Sequence, residues 1–203
     1  MKTAAATPSS GSQEDRPNEA LGKQLHTVQV FPSELGWQAI VGWQQQLVRL
    51  TFGHADPQEA WQAVSASSSG GVEASDWNCE LAAQLQAFAA GEVVDFRGVA
   101  LADEGSTPFQ QEVLRACRAI PYGETLTYGQ LAAAAGSPRA ARAVGNAMAC
   151  NCTPLVVPCH RVIPGGSRRP GAYSAGEGVR TKLRLLEMEA LSAGKPSWAR
   201  KPR

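Results

Sequence analysis

Two capping boxes fix much of what the second half of this chain can become. Thr107-Pro108-Phe109-Gln110 and Thr127-Tyr128-Gly129-Gln130 each place a hydroxyl at a helix N-cap and an amide three residues on, a reciprocal pattern that satisfies orphan N–H groups. Pro108 at the first helical position strengthens the first box. The spacing predicts a helix from Pro108 to about Ala119 and a turn at Pro121-Tyr122-Gly123. A short helix from Thr127, closed by Gly136, should follow, and a third should start at once at Ser137-Pro138 and run to about Ala149. Two helices joined by a tight Gly-containing turn make either a helix-turn-helix or an ordinary αα corner, and spacing alone leans to the corner.

The first half reads differently. From His26 to Phe52 the pattern is strand-like, with Val28 and Val30 alternating with polar neighbours and Ile40-Val41 and Leu47-Val48 following. Asp56-Pro57 with Glu59 marks a helix start. Ala66 to Ser75 reads as a Ser/Gly loop, and Asp76 as the cap of a helix carrying Leu81, Leu85 and Phe88 and ending at Gly91. The expected fold class is α+β, divided into a disordered tail (1–20), a small α+β domain (21–103), a mainly helical domain (104–192) and a basic tail (193–203).

Charge separates the halves. Residues 1–100 hold 5 Lys/Arg against 11 Asp/Glu, and residues 101–203 hold 14 against 7, so a chain of net charge +1 carries an acidic half and a basic half. A basic half suits an anionic partner or a merely solvated surface. No apolar run reaches the ~20 residues of a membrane span, and Met1 to Asn18 lacks the apolar core of a secretory leader. Five cysteines, an odd number in a chain this long, argue against a disulfide scaffold and for a reducing, cytoplasmic setting.

Within the third helix, Ala140, Ala141, Ala143 and Gly145 surround a single long cation, Arg142. Small side chains let a helix lie close to a narrow surface such as the DNA minor groove, where one long residue can wedge into the base stack. The same pattern also fits a buried small-residue contact with Arg142 as a surface charge. Further on, Leu155-Val156-Val157-Pro158-Cys159-His160-Arg161-Val162-Ile163 sets a Cys-His pair in an apolar run. A cysteine there is ordinarily a small hydrophobe, but a buried imidazole beside it needs partners and can help form the nucleophilic thiolate. Adjacent side chains diverge on a regular strand, so this pair cooperates only where the backbone bends or a water bridges.

From Thr107 to Glu189 the chain closely resembles the alkylguanine-DNA alkyltransferases. The resemblance rests on Thr107-Pro108-Phe109-Gln110, Ile120-Pro121-Tyr122-Gly123-Glu124, Thr127-Tyr128-Gly129-Gln130-Leu131-Ala132, Ala140-Ala141-Arg142-Ala143-Val144-Gly145 and Pro158-Cys159-His160-Arg161-Val162, in family order and spacing. It implies a ribonuclease-H-like accessory domain followed by a winged helix-turn-helix domain. The implied activity is single-use transfer of an alkyl group from O6-alkylguanine to Cys159, with O4-alkylthymine left open as a second substrate. His160 would take the thiol proton through a water, and Glu189 would close the triad, with Glu187 as fallback. Asn151 would tie the DNA-contacting helix to the active-site strand, and Tyr128 would lie near a phosphate and offer its hydroxyl to the leaving guanine. Arg142 would fill the gap left by the flipped nucleotide, with Ala140, Ala141, Ala143 and Gly145 against the groove. The Val162 and Cys159 carbonyls, the Ser174 amide, Pro154 and Tyr173 would line the base pocket. The implied partner would be double-stranded DNA bound through its minor groove, the protein would be a monomer, and no metal, cofactor or membrane is implied. One departure stands out: Pro164 to Gly178 is longer than the family pattern, with Ala175 where glycine is common.

Three rivals remain. A lesion-binding relative without transfer activity would lack the acceptor, and Cys159 is present. A zinc site of Cys150, Cys152, Cys159 and His160 has unusual spacing. A cysteine hydrolase needs a distant histidine, and His26 and His54 sit in no motif.

Overall fold

The computed structural model describes residues 25–66, 71–102, 105–166 and 169–196. The expected N-terminal tail and the basic end from residue 197 lie outside the described residues. In chain order the elements are β1 (His26–Phe31), β2 (Trp37–Trp43), β3 (Gln46–His54), α1 (Pro57–Ser65), β4 (Val72–Ala74), α2 (Cys79–Ala89), α3 (Pro108–Arg118), β5 (Leu126–Thr127), α4 (Tyr128–Ala134), α5 (Ala141–Ala149), β6 (Val162–Ile163) and α6 (Val179–Ser192), with a 3-10 turn at Cys159–Arg161. The chain is thus α+β: a mixed sheet with helices, then a mainly helical region. Among the described residues no helix is long and apolar enough to cross a membrane.

The sheet runs β3-β2-β1-β4, antiparallel except for the β1–β4 pair. Its strands alternate between two cores, as the two-residue period of a strand requires. Val28, Ala39, Val41 and Val48 face α1, which contributes Ala60 and Val64. Phe31, Ile40, Leu47, Leu50 and Phe52 face α2, with Leu81, Leu85 and Phe88. That second core also takes in Leu155, Val156 and Leu185 from the far half of the chain, so the residues just before Cys159 are anchored on the sheet. The Leu50 amide donates to the Cys152 carbonyl at 2.9 Å along the same seam.

Three boundaries differ from the sequence expectation. The Ser/Gly stretch hides β4, which forms because Val72 to Ala74 pair in parallel with His26 to Val28, a non-local gain that local propensity does not carry. Asn78 rather than Asp76 caps α2, its side chain accepting from the Leu81 amide at 2.9 Å. α5 begins at Ala141 without a side-chain cap, because Ser137 to Ala140 form a separate turn closed by Ala140 N–H to Ser137 O. Both capping boxes form as expected, at Thr107/Gln110 and Thr127/Gln130.

Candidate active site

Cys159 opens the 3-10 turn, so the backbone bends where cooperation between Cys159 and His160 requires it. The turn lies between the sheet-anchored run at Leu155-Val156 and β6, and α6 packs across it. Cys159 is 5% exposed, and His160 and Glu189 are fully buried at 0% and 1%. Asn151, two residues past the end of α5, donates from Nδ2 to the Cys159 sulfur at 3.1 Å and to the Val157 carbonyl at 2.9 Å. Its Oδ1 accepts from the Thr153 amide, which fixes which way the carboxamide faces.

The carboxylate that meets His160 is Glu189, with Oε1 2.8 Å from Nε2. Glu187, the fallback, is only half-buried on the same helix. Four N–H donors converge on Glu189: the His160 ring, two from Arg161 at 2.9 to 3.1 Å, and the Gly123 amide at 3.0 Å. Gly123 has φ +71, and a Cβ there would lie 2.8 Å from the Ala193 Cβ, so the turn that delivers this amide requires glycine. Arg161 also donates to the Ile120 carbonyl at 2.7 Å and stacks 5.5 Å over the Tyr122 ring. Arg161 and Gly123 were absent from the expected site. Their signal was the pairing of Pro-Cys-His-Arg with Ile-Pro-Tyr-Gly, whose members meet only in three dimensions.

Burial alone would raise the Glu189 pKa, but the His160 and Arg161 groups around it overcome this and bring it down to about 2. Glu189 is therefore a carboxylate at neutral pH and can only accept, so the His160 proton sits on Nε2 and the lone pair on Nδ1. Nδ1 has no hydrogen-bond partner in the described structure. Burial lowers the His160 pKa despite Glu189, which keeps the ring neutral and basic at Nδ1. Cys159 is pushed the other way: burial raises its pKa, opposed by the Asn151 hydrogen bond and the Lys182 charge. The resting pair is then a neutral thiol beside a neutral imidazole with an open acceptor.

Lys182, 1% exposed, donates to the Val162 carbonyl at 2.6 Å and lies 6.0 Å over the Tyr173 ring. Burial brings its pKa down to about 8. It occupies the inner face of α6, although the apolar periodicity of Val179, Leu183, Leu186 and Ala190, which both Glu187 and Glu189 flank, predicts a different stripe there. The buried face is instead Lys182, Leu185, Leu186, Glu189 and Ala190, with Val179 and Leu183 45% and 38% exposed. The Tyr173 hydroxyl is buried close enough to Cys159 for each to influence the other's titration, without a hydrogen bond of good geometry. Pro154 and Val162 are buried, Tyr128 half-buried and Ser174 exposed.

On α5, Arg142 and Ala143 are exposed and Ala140, Ala141 and Gly145 partly so; a Cβ at Gly145 would meet nothing within 4 Å. Arg139, in the turn before α5, is exposed as well, a second cation beside Arg142. Cys150 and Cys152 are exposed and Cys159 is buried, and among the described residues no group of three or more His, Cys, Asp or Glu side chains is placed to hold a metal ion.

Residues 108–191 match the family model described as 6-O-methylguanine DNA methyltransferase, DNA binding domain. A methylated-DNA–protein-cysteine methyltransferase from Methanosarcina acetivorans is 45% identical over 116 residues, covering 57% of this chain and 72% of that protein. The Salmonella typhimurium protein of the same name is 39% identical over 153 residues, covering 75% and 80%. This chain belongs to the methylated-DNA–protein-cysteine methyltransferase family. The family likeness extends into the sheet. A Mycobacterium tuberculosis relative crystallised in complex with DNA superposes with a TM-score of 0.65 at 31% identity, over 82% of this chain and 94% of that one.

Proposed function

We propose that this protein repairs O6-alkylguanine in DNA by moving the alkyl group, once and irreversibly, onto Cys159. The observation that carries the reading is the partly buried Asn151–Cys159 contact beside the buried His160–Glu189 pair in a chain of this family. His160 Nδ1 takes the Cys159 proton by way of a water, and Glu189 stabilises the ring as it becomes cationic. The thiolate attacks the alkyl carbon in line, the S–C bond forms, the C–O6 bond breaks, and the guanine oxygen leaves with a proton. Tyr128 is the hydroxyl offered to the departing base, and Val162, Pro154, Tyr173 and Ser174 hold its edge and faces. The resulting thioether has no route back in this chemistry, so each molecule acts once, without a cofactor, as a monomer in a reducing cytoplasm.

α4 and α5 act as the helix-turn-helix of a winged domain, with the Ala140, Ala141, Ala143 and Gly145 surface against the minor groove. Buried O6 requires extrusion of the nucleotide, and Arg142 fills the space it leaves. Incubation with methylated-guanine duplex should add one methyl per molecule by intact mass, on Cys159 by peptide mapping. Methyl on Cys150 or Cys152 with Cys159 free would refute the assignment. Arg142→Ala should slow transfer from duplex far more than from the free alkylated base, where no unstacking is needed, and Arg142→Lys should recover only part. Equal losses on both substrates would give Arg142 a supporting role instead.

A further inference from the structure

Asn151 stands between two cysteines, Cys150-Asn151-Cys152, that the alkyl-transfer reading leaves without a task. Both thiols are free and exposed, and both line one cleft of 730 Å³ together with Val48, Leu101, Leu114 and Arg118. That cleft backs onto Asn151 rather than opening on Cys159, so a reagent there reaches these thiols first.

The local backbone brings the Cys152 thiol back against the Cys150 main chain. α5 ends in a tight turn, with Cys150 N–H bonded to Asn146 O at 3.1 Å and Asn151 N–H to Met148 O at 3.4 Å. Cys150 has φ −89 and ψ 6, and the Cys152 sulfur folds back to 3.5 Å from the Cys150 carbonyl oxygen. A disulfide needs Cα atoms about 4.4–6.8 Å apart, a range that residues two apart on a compact turn fall within. The far side of the turn is pinned, because the Cys152 carbonyl accepts from the Leu50 amide of β3. Closing a bond across a turn held at one end shifts the residue in the middle. That residue is Asn151, which has both carboxamide atoms engaged and Nδ2 on the Cys159 sulfur.

We propose that Cys150 and Cys152 form a redox-responsive dithiol whose oxidation to a disulfide turns Asn151 off Cys159 and slows alkyl acceptance. The proposal rests on the reading of Cys159 as acceptor. The oxidant is a small disulfide of the glutathione type. One thiolate of the pair attacks it, forms a mixed disulfide and releases one small thiol. The second thiolate then displaces the other small thiol and closes the Cys150–Cys152 bond. Two thiol protons leave the protein, and its two electrons reduce the small disulfide to two thiols. Cys159, buried at 5% exposure, is shielded from the same exchange.

The test uses the full chain and glutathione disulfide. Thiols left after oxidation are capped with iodoacetamide under denaturing conditions and peptides are mapped. Single-turnover transfer from methylated-guanine duplex is measured before oxidation, after it, and after dithiothreitol. The expected product is a Cys150–Cys152 link, lighter by two hydrogens, with Cys159 capped. Transfer should slow by about tenfold or more, as for loss of one hydrogen bond to a charged sulfur, and recover on reduction. Cys150→Ser and Cys152→Ser should each keep the reduced rate and lose the response. Separate glutathione adducts on the two cysteines, an unchanged rate in the linked form, or equal slowing of the serine variants would overturn the proposal. Absence of methyl from Cys159 in the reduced protein would break the acceptor reading itself, while the disulfide map still decides the thiol chemistry.

Discussion

The sheet's α1 core and the site under α6 are both closed to water, yet they are held by different physics. Between sheet and α1, Val28, Ala39, Val41, Val48, Ala60 and Val64 bury only apolar atoms, and each can change by a methyl without stranding a neighbour. Under α6, His160, Arg161, Lys182 and Glu189 are all buried, and each holds a hydrogen bond to another of them or to a specific carbonyl. Apolar burial adds up roughly by area, whereas a buried polar network fails as a unit because each deletion leaves a partner unsatisfied. The first arrangement supplies stability in small increments; the second supplies geometry and tolerates little.

Glu189→Gln tests that contrast most severely. Transfer per folded molecule should fall by roughly 10²–10⁴, the usual contribution of a general base, because the amide cannot hold the His160 tautomer or its developing charge. It should also cost about 3–5 kcal/mol of stability, since Arg161, itself 6% exposed, loses its carboxylate. Glu187→Gln should do neither; single-turnover rates and urea unfolding of both variants decide between the two carboxylates.

Acid should separate the regions next. The Glu189 pKa is depressed in the folded state to about 2, so its contribution is complete above the unfolded carboxylate value and is lost as pH falls toward 2. The loss amounts to about 3 kcal/mol for a depression of this size. Urea midpoints taken from pH 6 down to pH 2 should show it in the native chain. Glu189→Gln should have a flatter profile over the same range; matching slopes would place the acid sensitivity elsewhere.

Val64→Ala is the mildest test. Removing two buried methyl groups between α1 and the sheet should cost about 2 kcal/mol in unfolding and leave the transfer rate per folded molecule unchanged. A slowed rate would mean that the α1 core also shapes the site.

The same contrast explains what could be read from the chain. Features governed by neighbours were legible: the Thr107/Gln110 and Thr127/Gln130 boxes and the Asp56-Pro57 helix start, while at Cys159-His160 the choice between a bend and a bridging water stayed open. Features settled by distant partners were not. β4 exists because β1 lies beside it, and the inward face of α6 carries Lys182 because the Val162 carbonyl awaits it. The choice of Glu189 over Glu187 came from family pattern, since both flank the helix stripe. In space it is the Gly123 amide and the Arg161 guanidinium that single out Glu189. Asn151 was expected to join helix and strand, but its direct hold on the Cys159 sulfur has no local signature.

The seating of Leu155, Val156 and Leu185 in the core built by β1 to β3 and α2 also has a consequence for synthesis. The sheet emerges from the ribosome long before those residues do. At 5–20 residues per second its Ile40, Leu50 and Phe52 face waits on the order of ten seconds for its closing pieces. During that interval the nascent chain presents an unfinished apolar surface, and the thiol at residue 159 gains its setting only once α6 has been made.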